Sequence, residues 1–130
     1  MDIFSEEALI KNVPIGLAVL KFNNDGYQPI FLSDIVTQRF GITTQQLATL
    51  LNNDIAGFVH PDEIELVRLM FYKAGVIGGT FSEVVRLRLK DGNYVWTNLR
   101  VRAVSADDGQ KAIYIAFVNM DKQIANEAQL

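Results

Sequence analysis

Residues 85–102 read VRLRLKDGNYVWTNLRVR, and this stretch decides the fold class. Apolar residues alternate with polar or basic ones on both sides of Asp91-Gly92, a dipeptide that is typical of a tight hairpin turn. Alternation of this kind places successive side chains on opposite faces of a strand. The stretch therefore predicts two antiparallel strands with one apolar face and one basic face.

Three further strands are predicted around this hairpin. Residues 112–120 follow a glycine turn and form the most apolar segment of the chain. Residues 15–22 and 27–32 are apolar and aromatic, and the turn signal NNDG (23–26) separates them. Pro29 lacks the N–H that a central strand must donate, so we expect the second of these strands to lie at a sheet edge or to contain a bulge.

Helical patterns occupy the middle of the chain. Residues 33–51 predict two short helices separated by Gly41, with Thr43 or Thr44 placed to cap the second. Helices grouped between two sets of antiparallel strands predict an α+β fold in which the helices cover one face of the sheet.

The longest helix is predicted to begin at Pro61 and to end near Gly75. Its apolar residues recur at steps of three and four, which is the pattern of a stripe that faces a core. The stripe comprises Ile64, Val67, Phe71 and Ala74, and we expect Leu66, Leu69 and Met70 to widen it.

The composition is that of one ordinary globular domain. The 130 residues are 49% hydrophobic and 21% charged, which is enough to build a core at the commonest domain size. There is no cysteine, so the chain forms neither disulfides nor thiolate sites. No run approaches the roughly 18 apolar residues of a membrane span, and the N-terminus is acidic. We expect a cytoplasmic location and no membrane contact by this segment.

Five short motifs, in this order, resemble those of the PAS sensory domain family. They are NVPIG (12–16), FGIT (40–43) followed by Gln46-Leu47, VHPDE (59–63), RLRLKDGNYVW (86–96) and VNMDKQ (118–123). The last resembles a degenerate exit motif, where the family often shows Asp-Ile-Thr. The resemblance covers about residues 12–123. It implies a PAS-like five-stranded antiparallel sheet with helices packed on one face, around a small cavity.

The resemblance also implies how the chain is divided. Residues 1–12 are expected to form an N-terminal flanking helix, which Ser5 can cap. Residues 13–121 form the PAS domain, and residues 122–130 begin an exit helix that carries the signal. Because the family commonly transmits strain through such a helix, we expect a longer signalling protein with a downstream histidine kinase or cyclic-dinucleotide enzyme.

A small apolar ligand, or none, is expected between the long helix and the sheet. The candidates for the pocket are Phe40, Leu47, Val67, Met70, Phe71, Val85, Leu87, Ile115 and Phe117. No catalytic or metal-ligating residue is expected. His60, the single histidine, is interpreted as marking the start of the long helix, because a catalytic histidine needs partners that the sequence does not supply.

No cofactor is expected either. Light-oxygen-voltage members of the family need a reactive cysteine, which this chain lacks. Haem-binding members use a histidine within the long helix, and residues 64–74 contain none. Non-covalent flavin stays an open alternative, since Tyr94 and Trp96 can stack on a ring, although strand aromatics more often serve packing.

A homodimer is expected because the N-terminal segment carries more apolar surface than so short a helix needs. The interface candidates are Phe4, Leu9, Ile10, Trp96 and Tyr114. Trp96 has two open interpretations, a docking residue on the outer sheet face or a residue buried beneath a helix. The strands also carry five basic residues, but the net charge of −3 favours a solvated face over a nucleic-acid surface.

The sequence therefore favours a sensory input module, not an enzyme, that binds a small ligand or relays dimer conformation to an effector. Two alternatives stay open. One is a constitutive dimerisation module with a filled core. The other is a small enzyme resembling ketosteroid isomerase, which needs a carboxylate of raised pKa in an apolar pocket.

Overall fold

The computed structural model describes residues 2–6, 8 and 14–120. Their elements, in chain order, are β1 (Gly16–Asn23), β2 (Gly26–Leu32), α1 (Asp34–Phe40), α2 (Thr44–Asn52), a 3-10 turn (Pro61–Glu63), α3 (Ile64–Val76), β3 (Gly79–Arg88), β4 (Tyr94–Ser105) and β5 (Lys111–Asn119). The predicted order of strands and helices is confirmed. The predicted exit helix at 122–130 lies outside the described residues.

The five strands form one antiparallel sheet in the order β2-β1-β5-β4-β3. The two hairpins predicted from the sequence are β1–β2 and β3–β4, and β5 joins them in the middle. Pro29 lies on the edge strand β2, opposite Leu20 and beside a register shift between Val19 and Leu20. Both expectations for this proline, an edge strand and a bulge, are therefore met.

The helices pack on one face of the sheet, which confirms the α+β class with a PAS-like arrangement. Alternate residues of the strands point to this inner face and are buried: Ala18, Leu20, Val85, Leu87, Val95, Leu99, Val101, Ile113, Ile115 and Phe117. They form a continuous core with buried residues of the three helices. The opposite, outer face carries the polar and basic residues of the alternation.

The two short helices begin and end where local sequence dictates. Gly41 closes α1 in the left-handed conformation, at φ 68°, with its N–H bonded to the Thr37 carbonyl at 2.9 Å. Thr43 begins α2 with a capping box. Its hydroxyl accepts from the Gln46 N–H at 3.1 Å, and the Gln46 side chain accepts from the Thr43 N–H at 2.8 Å. Of the two threonines considered, Thr43 is the cap.

The core-facing stripe of α3 is narrower than the sequence predicted. Val67, Met70 and Ala74 are buried, whereas Leu66 and Leu69 are 37% and 47% exposed. The expectation that these two leucines widen the core stripe is wrong, because the sheet meets the helix on one side only. The helix also continues through Gly75 to Val76, and it ends before Gly78, whose φ is 80°. Gly75 is therefore not its stop.

Ser5 caps a helical turn at the N-terminus, as expected, with its hydroxyl accepting from the Ala8 N–H at 3.1 Å. Ile3 and Phe4 are 63% and 77% exposed. Two of the predicted interface residues, Leu9 and Ile10, lie outside the described residues. In the part of the chain that is described, no helix is long and apolar enough to span a bilayer.

Neighbouring residues on α3 give a direct test of this helix orientation. Met70→Ala should lower the free energy of unfolding by about 2–5 kcal/mol, because the residue is 3% exposed and its removal leaves a cavity. Leu69→Ala, the control on the solvent side, should change it by no more than about 0.5 kcal/mol. Urea denaturation of both variants measures the difference. Equal losses would contradict the assignment of faces.

Candidate functional site

An apolar cavity lies between α3, α2 and the inner face of the sheet, where the ligand was expected. Its volume is about 20 Å³, and only apolar side chains line it. A cavity of that size holds about one water molecule, whereas small-molecule sites measure roughly 300–1,000 Å³. The centre of the domain is therefore almost completely filled by its own side chains.

Six of the predicted pocket residues line this cavity: Leu47, Val67, Phe71, Leu87, Ile115 and Phe117. The ring of Phe40 lies behind them, 5.6 Å from that of Phe58 and 5.7 Å from that of Phe117. Met70 and Val85 are buried in the same core without lining the cavity. The structure brings all nine residues into one core, and their role in ligand binding stays a prediction.

Sequence reasoning missed part of the lining, including Leu50, Leu51, Ile55 and Phe58. Leu50 and Leu51 continue the helical spacing that begins at Leu47, so the apolar pattern of α2 was the available signal. Ile55 and Phe58 lie in the segment between α2 and the 3-10 turn, where no periodicity marks a buried side chain. Phe58 fills space through edge-to-face contact with Phe40.

An ion pair between a buried carboxylate and a partly exposed guanidinium joins the start of α3 to strand β3. Glu63 is 8% exposed, and its two carboxylate oxygens accept from Arg86 Nε at 2.8 Å and from Arg86 Nη2 at 2.6 Å. The backbone N–H of Arg86 donates to the same carboxylate at 2.9 Å, and Nη2 also donates to Asp62 at 3.1 Å. The pair is bidentate, the geometry that gives Arg–carboxylate contacts their strength and direction.

These contacts determine the protonation of Glu63. The hydrogen bond from the Arg86 side chain lowers the pKa of the Glu63 carboxyl below its ordinary value, despite the opposing effect of burial. The same hydrogen bond raises the pKa of the Arg86 guanidinium. Glu63 therefore lacks the raised pKa that a ketosteroid-isomerase-like acid requires.

His60 lies immediately before this pair and caps the 3-10 turn, in agreement with its interpretation as a helix-start residue. Its ring Nδ1 accepts from the Asp62 N–H at 3.1 Å, and the backbone N–H of His60 donates to the Arg86 carbonyl at 2.9 Å. The ring lies 4.9 Å from that of Tyr94. Ligand atoms of His60, Asp62 and Glu63 lie within 4.8 Å of one another, but both carboxylates are already bonded to Arg86.

Trp96 lies on the outer face of the sheet, between the buried residues Val95 and Thr97. It is half-buried there, and the Arg86 guanidinium lies 4.8 Å from the centre of its ring. This distance is within the range of a cation–π contact. Of the two interpretations of Trp96, the outer face is the one observed, and its docking role stays a prediction.

The outer face of the sheet has an apolar half and a basic half. Across one row of strand partners, Phe31, Val19 and Tyr114 lie side by side, followed by Arg102 and then Thr80. Tyr114 is 47% exposed. A shallow depression of about 280 Å³ lies over the apolar half and is bordered by Arg100 and Arg102. This surface suits an apolar partner with an acidic edge.

Comparisons with known proteins place this architecture. A family model described as PAS fold matches residues 29–118. None of the curated proteins matches the sequence.

Several solved structures have the same fold at low identity. The N-terminal domain of a diguanylate cyclase with PAS/PAC sensor from Marinobacter aquaeolei is 20% identical with a TM-score of 0.63, over 82% of this chain and 97% of that one. A PAS domain from Colwellia psychrerythraea is 18% identical with a TM-score of 0.64, over 93% and 99%. A domain of a light and redox sensing histidine kinase from Haloarcula marismortui is 13% identical with a TM-score of 0.59, over 87% and 97%.

The ion pair predicts a specific dependence of stability on pH. Because the pKa of Glu63 is lowered in the folded state from its ordinary value of 4.5, the pair stabilises the fold above that value. This contribution is lost as the pH falls through the folded pKa. Glu63→Gln should therefore be less stable than the wild type at pH 7, with a difference that shrinks as the pH falls below about 4.5.

Urea denaturation between pH 7 and pH 3 measures this difference. Glu65→Gln is the matched control, since Glu65 lies on the same helix but its side chain is 85% exposed and pairs only at the surface with Arg68. A difference between wild type and Glu63→Gln that stays constant with pH would contradict the assignment.

Proposed function

The chain belongs to the PAS fold family, and on that premise we propose that it is a sensory input module that relays a conformational signal to a downstream effector. The observation that carries the proposal is the outer sheet face, where an exposed apolar half adjoins a basic half. Exposed apolar surface of this kind marks an interaction site in a protein that is otherwise well packed. The signal is proposed to pass through a partner docked on this face.

A second copy of the chain is the proposed partner. Its N-terminal segment combines the exposed apolar residues Ile3 and Phe4 with the acidic residues Asp2 and Glu6. This composition complements the apolar half and the basic border of the outer face, and Arg102 provides a positive charge there. A symmetric homodimer in which each N-terminal segment lies on or beside an outer face uses both features.

The ion pair supplies a physical route from this face to the helical layer. Arg86 contacts Trp96 on the outer face and Glu63 at the start of α3. A partner that changes the position of Trp96 acts on the same guanidinium that holds the helix. Two packings of α3 that differ in how well they fit the docked partner would shift in population with docking.

The effector belongs to the same proposal. A diguanylate cyclase and a histidine kinase carry the domains to which this chain is structurally similar. We infer that the full-length protein carries a histidine kinase or a cyclic-dinucleotide enzyme after this domain. We also propose the cytoplasmic location that the sequence predicts.

A second candidate is a constitutive dimerisation module without a ligand. The filled core favours it, since a cavity of about 20 Å³ leaves no room for a small molecule between α3 and the sheet. Both candidate functions require a dimer. They differ in whether the binding of another molecule changes the conformation of that dimer.

Substitution of the outer face tests the dimer. Tyr114→Lys should shift the protein from dimer to monomer in multi-angle light scattering, because a charge replaces a 47% exposed aromatic side chain at the proposed contact. Ile35→Lys is the control, on α1, where the isoleucine is 41% exposed. Deletion of residues 1–11 should also give a monomer. If the intact chain is monomeric at high concentration, the proposed dimer is wrong.

The filled core also predicts the absorption of the purified protein. We expect neither a Soret band nor a flavin spectrum, because the enclosed volume of about 20 Å³ is far below that of a tricyclic ring or a porphyrin. An ultraviolet–visible spectrum of protein purified without added cofactor measures this. A stoichiometric visible chromophore would contradict the prediction and leave the fold assignment unchanged.

A further inference from the structure

An open groove runs along the flank of α3, between this helix and the β1–β2 hairpin. Its volume is about 460 Å³, within the usual range of small-molecule sites. Aromatic and aliphatic side chains form most of its walls, among them Phe22, Tyr27, Phe71 and Val76. The ring of Tyr27 lies 4.6 Å from that of Phe22 and 6.3 Å from that of Phe71, so three aromatic rings form one wall.

The charged side chains that line the groove are all positive. Its lining contains Arg68 and Lys111 and no acidic residue. Arg68 is neutralised by Asp54 and Glu65, at 3.2 Å and 2.6 Å. By contrast, the larger cleft beside the β3–β4 hairpin, of about 590 Å³, has Asp91 in its lining together with Arg88 and Lys90.

Lys111 is the cation of the groove that has no acidic partner among the described residues. Its ammonium donates a hydrogen bond to the Gly75 carbonyl at the end of α3. This contact satisfies one of the carbonyls that every helix end leaves without an internal partner. An ammonium has three N–H donors, so two stay available to an anion in the groove. The Tyr27 phenol on this wall is uncharged at neutral pH, and burial raises its pKa further.

Gly75 lines the groove without a side chain of its own. The backbone at this position is helical, so no unusual conformation requires glycine. A Cβ built there meets no atom within 4 Å, so packing does not require glycine either. Glycine in a helix is less favourable than alanine, because it loses more backbone freedom on folding. Gly75 lines the groove together with Phe71 and Lys111, and a long side chain at this position would project into open space.

We propose that this groove binds a fatty carboxylate of medium chain length, with its tail along the aromatic wall and its carboxylate on the ammonium of Lys111. An apolar wall with a single unneutralised cation fits a molecule that has one negative charge and a long apolar part. A phosphate, which carries up to two charges, would find only one unpaired cation in this lining.

The position of the groove explains how an occupant would be sensed, and this step rests on the sensory function proposed above. Leu51, Ile55, Val67 and Phe71 line both the groove and the small central cavity. These four residues therefore form a wall that the groove and the central cavity share. A tail in the groove therefore presses on side chains that α2 and α3 contribute to the core, and it favours one packing of these helices over another.

Calorimetric titration of the purified chain with sodium decanoate, kept below its micelle concentration, tests the proposal. Gly75→Leu places a side chain in the groove and should weaken decanoate binding by about tenfold or more, while its unfolding temperature stays equal to the wild type or rises. Gly75→Ala is the matched control. It gains the same helix propensity with one methyl group and should bind within about twofold of the wild type.

Lys111→Met tests the head group independently of Gly75. It should weaken decanoate binding by about tenfold and leave the binding of decanol, the uncharged counterpart, within about twofold. No decanoate binding by the wild type, unchanged affinity in Gly75→Leu, or equal effects of Lys111→Met on decanoate and decanol would each overturn the proposal.

Measurement of the oligomeric state distinguishes failure of the groove proposal from failure of the proposed dimeric relay. A stable dimer that binds no decanoate overturns the groove site and leaves the dimer proposal standing. A monomer that binds decanoate through Gly75 and Lys111 supports the groove site and overturns the dimer.

Discussion

The contact between Glu63 and Arg86 is the constraint on which the arrangement of helices and sheet depends. A carboxylate buried at the start of α3 needs a charged hydrogen-bonding partner, and the guanidinium on β3 supplies two hydrogen bonds to it. Two backbone hydrogen bonds reinforce this contact. The His60 N–H donates to the Arg86 carbonyl, and the Arg88 N–H donates to the Phe58 carbonyl. Together they hold the segment before α3 along the edge strand, which sets where the helix crosses the sheet.

The same guanidinium connects the two faces of the domain. Arg86 stands on the outer face beside Trp96, and it reaches the start of a helix that packs on the inner face. This is possible because β3 is an edge strand, and the Arg86 side chain reaches the start of α3 from it. Among the described residues, this ion pair joins a side chain of the outer face to a residue of the helical layer.

The packing of the core bears on where a small molecule could bind, in the centre of the domain or on the flank of α3. Aromatic contacts among Phe40, Phe58 and Phe117 fill the centre, so a ligand cannot enter there without opening the core. The groove on the flank of α3 is already open and shares a wall with the central cavity. Phe71, which the sequence placed in the core, stands half-buried between the two. The flank of α3 is therefore the place where an open groove lies directly beside the core.

The sequence by itself determined the strands, the turns and Pro61 as the first residue of the helical segment, although residues 61–63 form a 3-10 turn and the α-helix begins at Ile64. Alternation in residues 85–102, the turn signals and Pro61 act through neighbouring residues, so they are legible without the fold. Only the tertiary structure decided which stripe of α3 meets the sheet, because Leu69 and Met70 are both apolar and periodicity does not tell which of them faces the core. It also decided the pairing of Glu63 with Arg86, 23 residues apart, and the size of the cavity. These depend on side chains brought together by sheet register, which no local pattern encodes.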